Sequence, residues 1–393
     1  SKVWSIPVFL LIMAVIFFLT FTIGDWLKGY LEAAIGWLSD AAASGLTAIH
    51  AGDVLTSLIV DGIIAGVGTI VTFLPNILIL FLCLALLEDS GYMARVAYVM
   101  EGVMSRLGLS GKAFIPMLLG FGCTVPAIMA SRALENKHDR LKVMLVTPFM
   151  SCNARLTIYI LFSEMFFGDN AMAVAYAMYL IGILVAILVT ALLHLLDRKK
   201  SVNYLLIELP EYKLPDAHTV AIYVWEKVKD YLEKAGTTIF IATLIIWVVL
   251  NFGPGGYTPD MSDSFGAVLG KLLTPFFAPI GLGFWQIAVA LIAGISAKEV
   301  VVSSCAVLFG IVNASSPAGM SAFAAALEGI GFGPFNALCL MIFCLLYIPC
   351  AAALGTIQKE SGSWAWMAFT AAFQLGVAWL VTFLVYQAGM LIL

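Results

Sequence analysis

Long apolar runs, rather than alternating or one-faced patterns, dominate this chain. The first, residues 4–23, follows a single Lys2, is too long for a signal-peptide core and lacks a small-x-small cleavage site, so it predicts a retained spanning helix. Next, Trp26, Leu27, Tyr30, Leu31, Ile35 and Leu38 recur at helical spacing among charges, which predicts an amphipathic helix lying at the interface. The run 54–87 is cut by Gly62, Gly66, Gly68 and Pro75 and ends in Glu88-Asp89. Gly62 and Gly66 are spaced for close helix packing, and Pro75 is expected to separate a short or re-entrant piece from a true span. Residues 92–107 read as a mixed helix carrying Arg95, Glu101 and Arg106.

Residues 112–159 combine a Gly/Pro-broken apolar segment, a basic turn and a second apolar segment opening on Ser-Cys-Asn-Ala-Arg. Gly120, Gly122 and Pro126 crowd around Cys123, so a continuous helix is not expected there. In lipid, broken backbone is tolerated only where it is buried in protein or lines a watery cavity, which makes this stretch the candidate transport site. If its two segments pair antiparallel about the turn near Asn136, Cys123 and Cys152 fall at similar distances from that turn, with Asn153 beside the second thiol. The turn's Arg132, Lys137, His138, Arg140 and Lys142 place it on the cytoplasmic side, as does the basic run 197–200.

A span is expected over 141–167, a reversal at Gly168-Asp169-Asn170 and a return over 171–196. Residues 201–234 read as a cytoplasmic linker and surface helix, 237–252 as a span, and 253–283 as a Gly/Pro-rich external segment. The run 284–311 holds Ser296-Ala297-Lys298-Glu299 in its middle, either as intramembrane ionisable groups or as a turn between half-helices. Residues 334–357 place Pro349 beside Cys350, and a last span covers 364–391. Each half thus has a charged interruption before a Pro-marked Cys segment. Cys123 is followed nine positions later by Arg132, and Cys350 nine positions later by Lys359.

Composition agrees: 62% hydrophobic and 11% charged residues lie far from the roughly 45 to 50% and 25% of soluble domains. Mean hydropathy is +1.03. This is an all-α polytopic membrane protein of roughly 8 to 10 membrane segments, and nothing in it suits nucleic acid. Its seven cysteines, scattered singly without CxxC or zinc-type spacing, are expected as free thiols, with Cys83, Cys305, Cys339 and Cys344 as buried hydrophobes. The four histidines read as solvated or interfacial.

The stretches LLEDSGYMARVAYVM, GKAFIPMLLGFGCTVPAIMASRALENKHDR, MSCNARLTIY, ISAKEVVVSSCAVLFG and YIPCAAALGTIQKESGSWAW resemble the membrane part of the FeoB ferrous-iron transporters of bacteria, and nearly the whole chain is similar in order. The resemblance implies two gate-type repeats with broken or re-entrant helices, expected over 53–200 and 235–393, after a first span and interfacial helix in 1–52 and divided by the linker 201–234. It implies ferrous-iron (Fe2+) uptake across the inner membrane, with Cys123, Cys152 and Cys350 lining the path. Iron would be the transported substrate, with no permanently bound cofactor. It also implies a GTP-binding domain or subunit on the cytoplasmic side, and the bilayer as surroundings; it admits a homo-oligomer. The chain itself has no GxxxxGK[ST], so GTP hydrolysis by these residues is not expected and no enzyme activity is assigned.

The candidate metal-contacting residues are Cys123, Cys152, Cys350, Asn153, Glu88, Asp89 and Glu299. Ferrous iron sits low in the Irving–Williams order, so ligand type and geometry must select it. A path must also bind weakly, which a few thiols and carbonyls achieve and a closed four-thiolate cage does not. A thiol in apolar surroundings resists ionising, and Arg155 is the candidate cation to assist it. The alternative is a transporter of a small organic solute such as a nucleoside, which would need convergent amides and carboxylates where this chain offers thiols.

Overall fold

A computed structural model describes residues 2–50, 52–196, 212–258, 261–311 and 317–392; the basic run 197–200 and the first part of the expected linker lie outside them. The described residues are overwhelmingly helical, because in lipid a helix satisfies its backbone groups from within. A short antiparallel ribbon pairs Phe252 with Tyr257 and Gly253 with Gly256.

Five described stretches are long and apolar enough to cross a bilayer: Leu11–Ala48, Asp53–Asp89, Lys137–Leu196, Pro334–Ser361 and Trp364–Leu391. The pair Phe265–Ile280 and Trp285–Ala293, bent by 103°, makes a sixth if counted as one span. Within Lys137–Leu196 the chain reverses at Gly168–Asn170 as expected. Gly168 has φ +46°, the Tyr159 and Tyr179 rings meet at 6.4 Å, and a Cβ on Gly182 would lie 2.8 Å from the Phe149 carbonyl. The chain is a multi-pass membrane protein, and one candidate crossing is made of two helices too short to span alone.

The helices form two compact units. One runs to Thr147 and takes in Ile187–Leu244; the other comprises Pro148–Ala186 and Ile245–Leu393.

In the first unit, the helix Lys2–Ala48 is continuous. The stretch expected as a separate interfacial helix simply extends it, because it has a partner to pack on. Gly24 meets Asn76, Lys28 lies over the Phe73 ring at 5.1 Å and Ile35 fills the space beside Gly68, an antiparallel register along the helix Ala65–Asp89. Pro75 does not divide that helix, contrary to expectation; the irregularity falls earlier, in the π-helical turn Leu58–Ile64. The close-packing glycines are Gly66, against Phe240 and Thr243, and Gly68. The surface helix Ala217–Tyr231 continues through the π-helical Leu232–Gly236 into Thr237–Asn251, so surface helix and span are one element. Arg132 pairs with Asp230 at 3.6 Å, which puts the basic turn and the surface helix on the same side.

In the second unit, the expected external segment contains the helix Phe265–Phe277, which packs back on Trp285–Ala293 with Gly270 against the Trp285 carbonyl and Val289. Gly and Pro here serve close packing and the sharp bend rather than an open loop. Leu250, Val289 and Ala293 form a buried cluster with Ile246, Trp285, Val300 and Leu308 around them.

Candidate functional site

Each of the three cysteines expected to line the path is the residue on which a helix begins after a break. In the first unit the helix Phe114–Leu119 ends, three residues turn, and Cys123 (φ −151°, ψ 133°) leads into Thr124–Ala130. The break closes on its own backbone: the Phe121 N–H donates to the Leu118 carbonyl at 3.1 Å, and those of Gly122 and Cys123 donate to Leu119 at 3.0 and 3.1 Å. Pro126 is not the breaker. It sits in the first turn of the new helix, where a missing N–H leaves no intrahelical bond unmade.

In the second unit, Cys152 (φ −83°, ψ 164°) starts the helix Asn153–Phe167 after the 3-10 turn Thr147–Phe149. The carbonyls freed there are taken by Arg155, 1% exposed, whose Nη1 donates to Pro148 at 2.7 Å and Met150 at 3.0 Å. Asn153 is the first residue of that helix.

Two further broken helices cross in the same unit. One comprises Trp285–Ala293 and Val300–Leu308, the other Pro334–Leu346 and Ala351–Ser361, which starts on Cys350 (φ −61°, ψ 156°). Ser296-Ala297-Lys298-Glu299 is therefore the join between half-helices, with Glu299 as the residue before Val300–Leu308. The breaks are stitched to each other. The Ala351 N–H donates to the Ile295 carbonyl at 2.7 Å, the Lys298 ammonium to the Ile348 carbonyl, and the Tyr347 hydroxyl to the Leu291 carbonyl at 3.4 Å. Lys298 Nζ also lies 3.1 Å from the centroid of the Tyr347 ring. Gly294 permits this crossing, since a Cβ there would lie 2.2 Å from Val301 and 2.6 Å from the Tyr347 hydroxyl.

The result is a buried polar knot. Cys344, Cys350, Cys152 and Arg155 lie within electrostatic reach of Lys298. The sequence singled out Cys152, Cys350 and Arg155; it missed that Cys344 and Tyr347 join them, and treated Lys298 only as half of a charge pair. A cation in the middle of an apolar run was the signal for Lys298. Cys83, Cys123, Cys152 and Cys350 are half-buried, whereas Cys305, Cys339 and Cys344 are buried; full burial was expected of Cys83 as well. All seven are free thiols.

Glu88 and Asp89 stand at a different place, lining a cavity of about 650 Å3 in the first unit with Tyr212, Lys213, Thr219 and Tyr223. Asp89 accepts from Lys213 Nζ at 2.8 Å and from the Asp216 N–H at 2.9 Å; Glu88 bonds the Tyr223 hydroxyl. Arg95 stacks on the Tyr212 ring at 3.6 Å. Asp89 thus fastens the segment before Ala217–Tyr231, and Glu88 holds the helix itself. Asp216 caps that helix by accepting from the Thr219 hydroxyl at 2.8 Å and its N–H at 3.0 Å, and these bonds hold its carboxyl below the usual carboxylate range. Among the described residues no three or more His, Cys, Asp or Glu side chains converge in a metal-holding group.

The Gate family model, described as nucleoside recognition, matches residues 70–166 and 232–364, and the model for the ferrous iron transport protein B C terminus matches 175–227. The chain is 42% identical over 395 residues to the Fe(2+) transporter FeoB of Staphylococcus aureus strain COL, covering 99% of this chain and 58% of that protein. It is 38% identical to the Fe(2+) transporter FeoB of Methanocaldococcus jannaschii, covering 96% of this chain and 56% of the relative. It is 37% identical to a Porphyromonas gingivalis protein named Fe(2+) transport protein A/Fe(2+) transporter FeoB fusion protein, covering 99% and 50%. The chain thus spans between half and three-fifths of these relatives' length. No solved structure matches it. The Gate match over more than half of the chain, the carboxy-terminal match and the identity to FeoB proteins along nearly its whole length place the chain in one family: the Gate-type membrane part of FeoB.

Proposed function

We propose that this chain carries ferrous iron across the bacterial inner membrane; its relatives are named Fe(2+) transporters. One observation carries the reading: Cys152 and Cys350 each open a helix at a break, and both border the same buried knot. Thiols at helix starts and carbonyls at breaks exchange part of an ion's water without trapping it. Cys123 offers the same device in the first unit. Asn153 and Glu299 stand next to the ligating backbone as secondary contacts; Glu88 and Asp89 act at the mouth of their cavity. Gating belongs to a GTP-binding domain or subunit on the cytoplasmic side, since this chain has no phosphate-binding loop of its own. A nucleoside is disfavoured as cargo because the breaks present thiols and cations rather than convergent amides.

Anaerobic Fe2+ uptake into proteoliposomes tests this. Cys152→Ser and Cys350→Ser keep size but remove thiolate chemistry, and each is expected to lower uptake by about tenfold. Cys123→Ser lowers it to a similar degree, and Cys83→Ser leaves it intact. Parent-rate uptake by all three path variants refutes the thiol-lined path, and nucleoside uptake without iron uptake refutes the cargo.

A further inference from the structure

Lys298 is 2% exposed and held by groups that would equally hold a metal ion. Its ammonium bonds the Ile348 carbonyl, freed by the helix break, and faces the Tyr347 ring at 3.1 Å; the Cys152, Cys350 and Cys344 thiols lie within electrostatic reach. A carbonyl oxygen, an aromatic face and sulfur are cation ligands. Here the cation is the chain's own and is tethered fifty residues away from the carbonyl it occupies. An ion arriving at the Ile348 carbonyl finds that oxygen already taken by the Lys298 side-chain nitrogen. We propose that Lys298 is a tethered surrogate cation: it fills the ion's position at the crossing of the two broken helices, is displaced when iron enters, and by returning drives iron out.

This rests on the thiol-lined path proposed above. It accounts for the coexistence of thiols with two buried cations, which a storage site would not tolerate. It also separates Lys298, which competes with the ion, from Arg155, which caps its own helix break at Pro148 and Met150.

The test uses the naturally expressed full-length protein. Co2+ binding, read by its thiolate charge-transfer absorption, is titrated in parent, Lys298→Gln and Lys298→Arg, alongside Fe2+ uptake. Lys298→Gln is expected to bind Co2+ at least about tenfold more tightly and to show a lower KM with a lower maximal rate, because release is slowed. Lys298→Arg stays near the parent. Unchanged or weaker Co2+ binding by a Lys298→Gln protein that melts like the parent overturns the proposal and leaves Lys298 a structural pin. If Lys298→Gln does not fold, Tyr347→Leu decides, since loosening the ammonium from its ring tightens Co2+ binding on the proposal and leaves it unchanged otherwise. A parent with no Co2+–thiolate absorption refutes the thiol path instead, and the KM shift of Lys298→Gln then decides the lysine by itself.

Discussion

The break at Cys123 and the breaks at Cys152 and Cys350 meet one need by different means. A helix interrupted inside a bilayer strands carbonyls that water cannot reach. At Gly120–Gly122 the backbone folds tightly enough to bond itself. The second unit has no such glycine pair at Met150-Ser151-Cys152 or Tyr347-Ile348-Pro349-Cys350, and buried cations do the work: Arg155 from within its own helix and Lys298 from a different broken helix. A self-bonded break is local and independent, whereas a cation-capped break is coupled to whatever carries the cation. The second unit is thus where an entering charge is felt by more than one helix.

The largest expected effect concerns Arg155. Arg155→Met leaves the Pro148 and Met150 carbonyls buried without a donor and should destabilise the protein by about 3 to 5 kcal/mol in reversible denaturation. Lys112→Met, which removes an exposed pair with Glu135 at 2.9 Å, should cost about 0 to 1 kcal/mol. Equal effects would erase the distinction between buried capping and surface pairing. Next, Gly294→Ala drives a methyl into Val301 and the Tyr347 hydroxyl and is expected to cost about 1 to 3 kcal/mol, with loss of uptake beyond the loss of folded protein. Parent-like uptake would show that the crossing tolerates separation. Tyr347→Phe keeps the ring under Lys298 and removes only a long 3.4 Å bond, so it should cost no more than about 1 kcal/mol and leave Co2+ affinity unchanged.

The smallest effect lies at the surface of the first unit. The Asp216 carboxyl is depressed in the folded state by its bonds from Thr219, so its contribution is complete above the ordinary carboxylate value and is lost as pH falls through the lowered one. Amide protection factors in the first turn of Ala217–Tyr231 should therefore drop below about pH 4, relative to the rest of that helix. Asp216→Asn should remove most of that pH dependence. Uniform protection across the range would mean that the cap contributes nothing.

Much of this molecule was legible in its sequence, for reasons that are local. Length and apolarity dictated spanning helices, Gly168-Asp169-Asn170 dictated a reversal, and glycines, isolated charges or a Pro-Cys pair within apolar runs marked three breaks: Gly120–Cys123, Ser296–Glu299 and Tyr347–Cys350. The break before Cys152 falls inside 141–167, which was expected as one span. The same local logic erred where a neighbour supplied what the segment lacked. Residues 25–53 looked interfacial until Ala65–Asp89 gave the helix that carries them a face to pack on, and Pro75 and Pro126 looked like breakers although one is absorbed within a helix and the other sits in the first turn of one.

What the sequence by itself determined is the inventory: a helical membrane chain, its broken segments, and the cysteines that open new helices. Only the tertiary structure decided which groups meet. Lys298 and Ile348 lie on different broken helices, and no periodicity relates them. Their pairing follows from the crossing that Gly294 allows, and from the rule that a carbonyl stranded in a low-dielectric interior takes whatever buried donor the fold brings within reach.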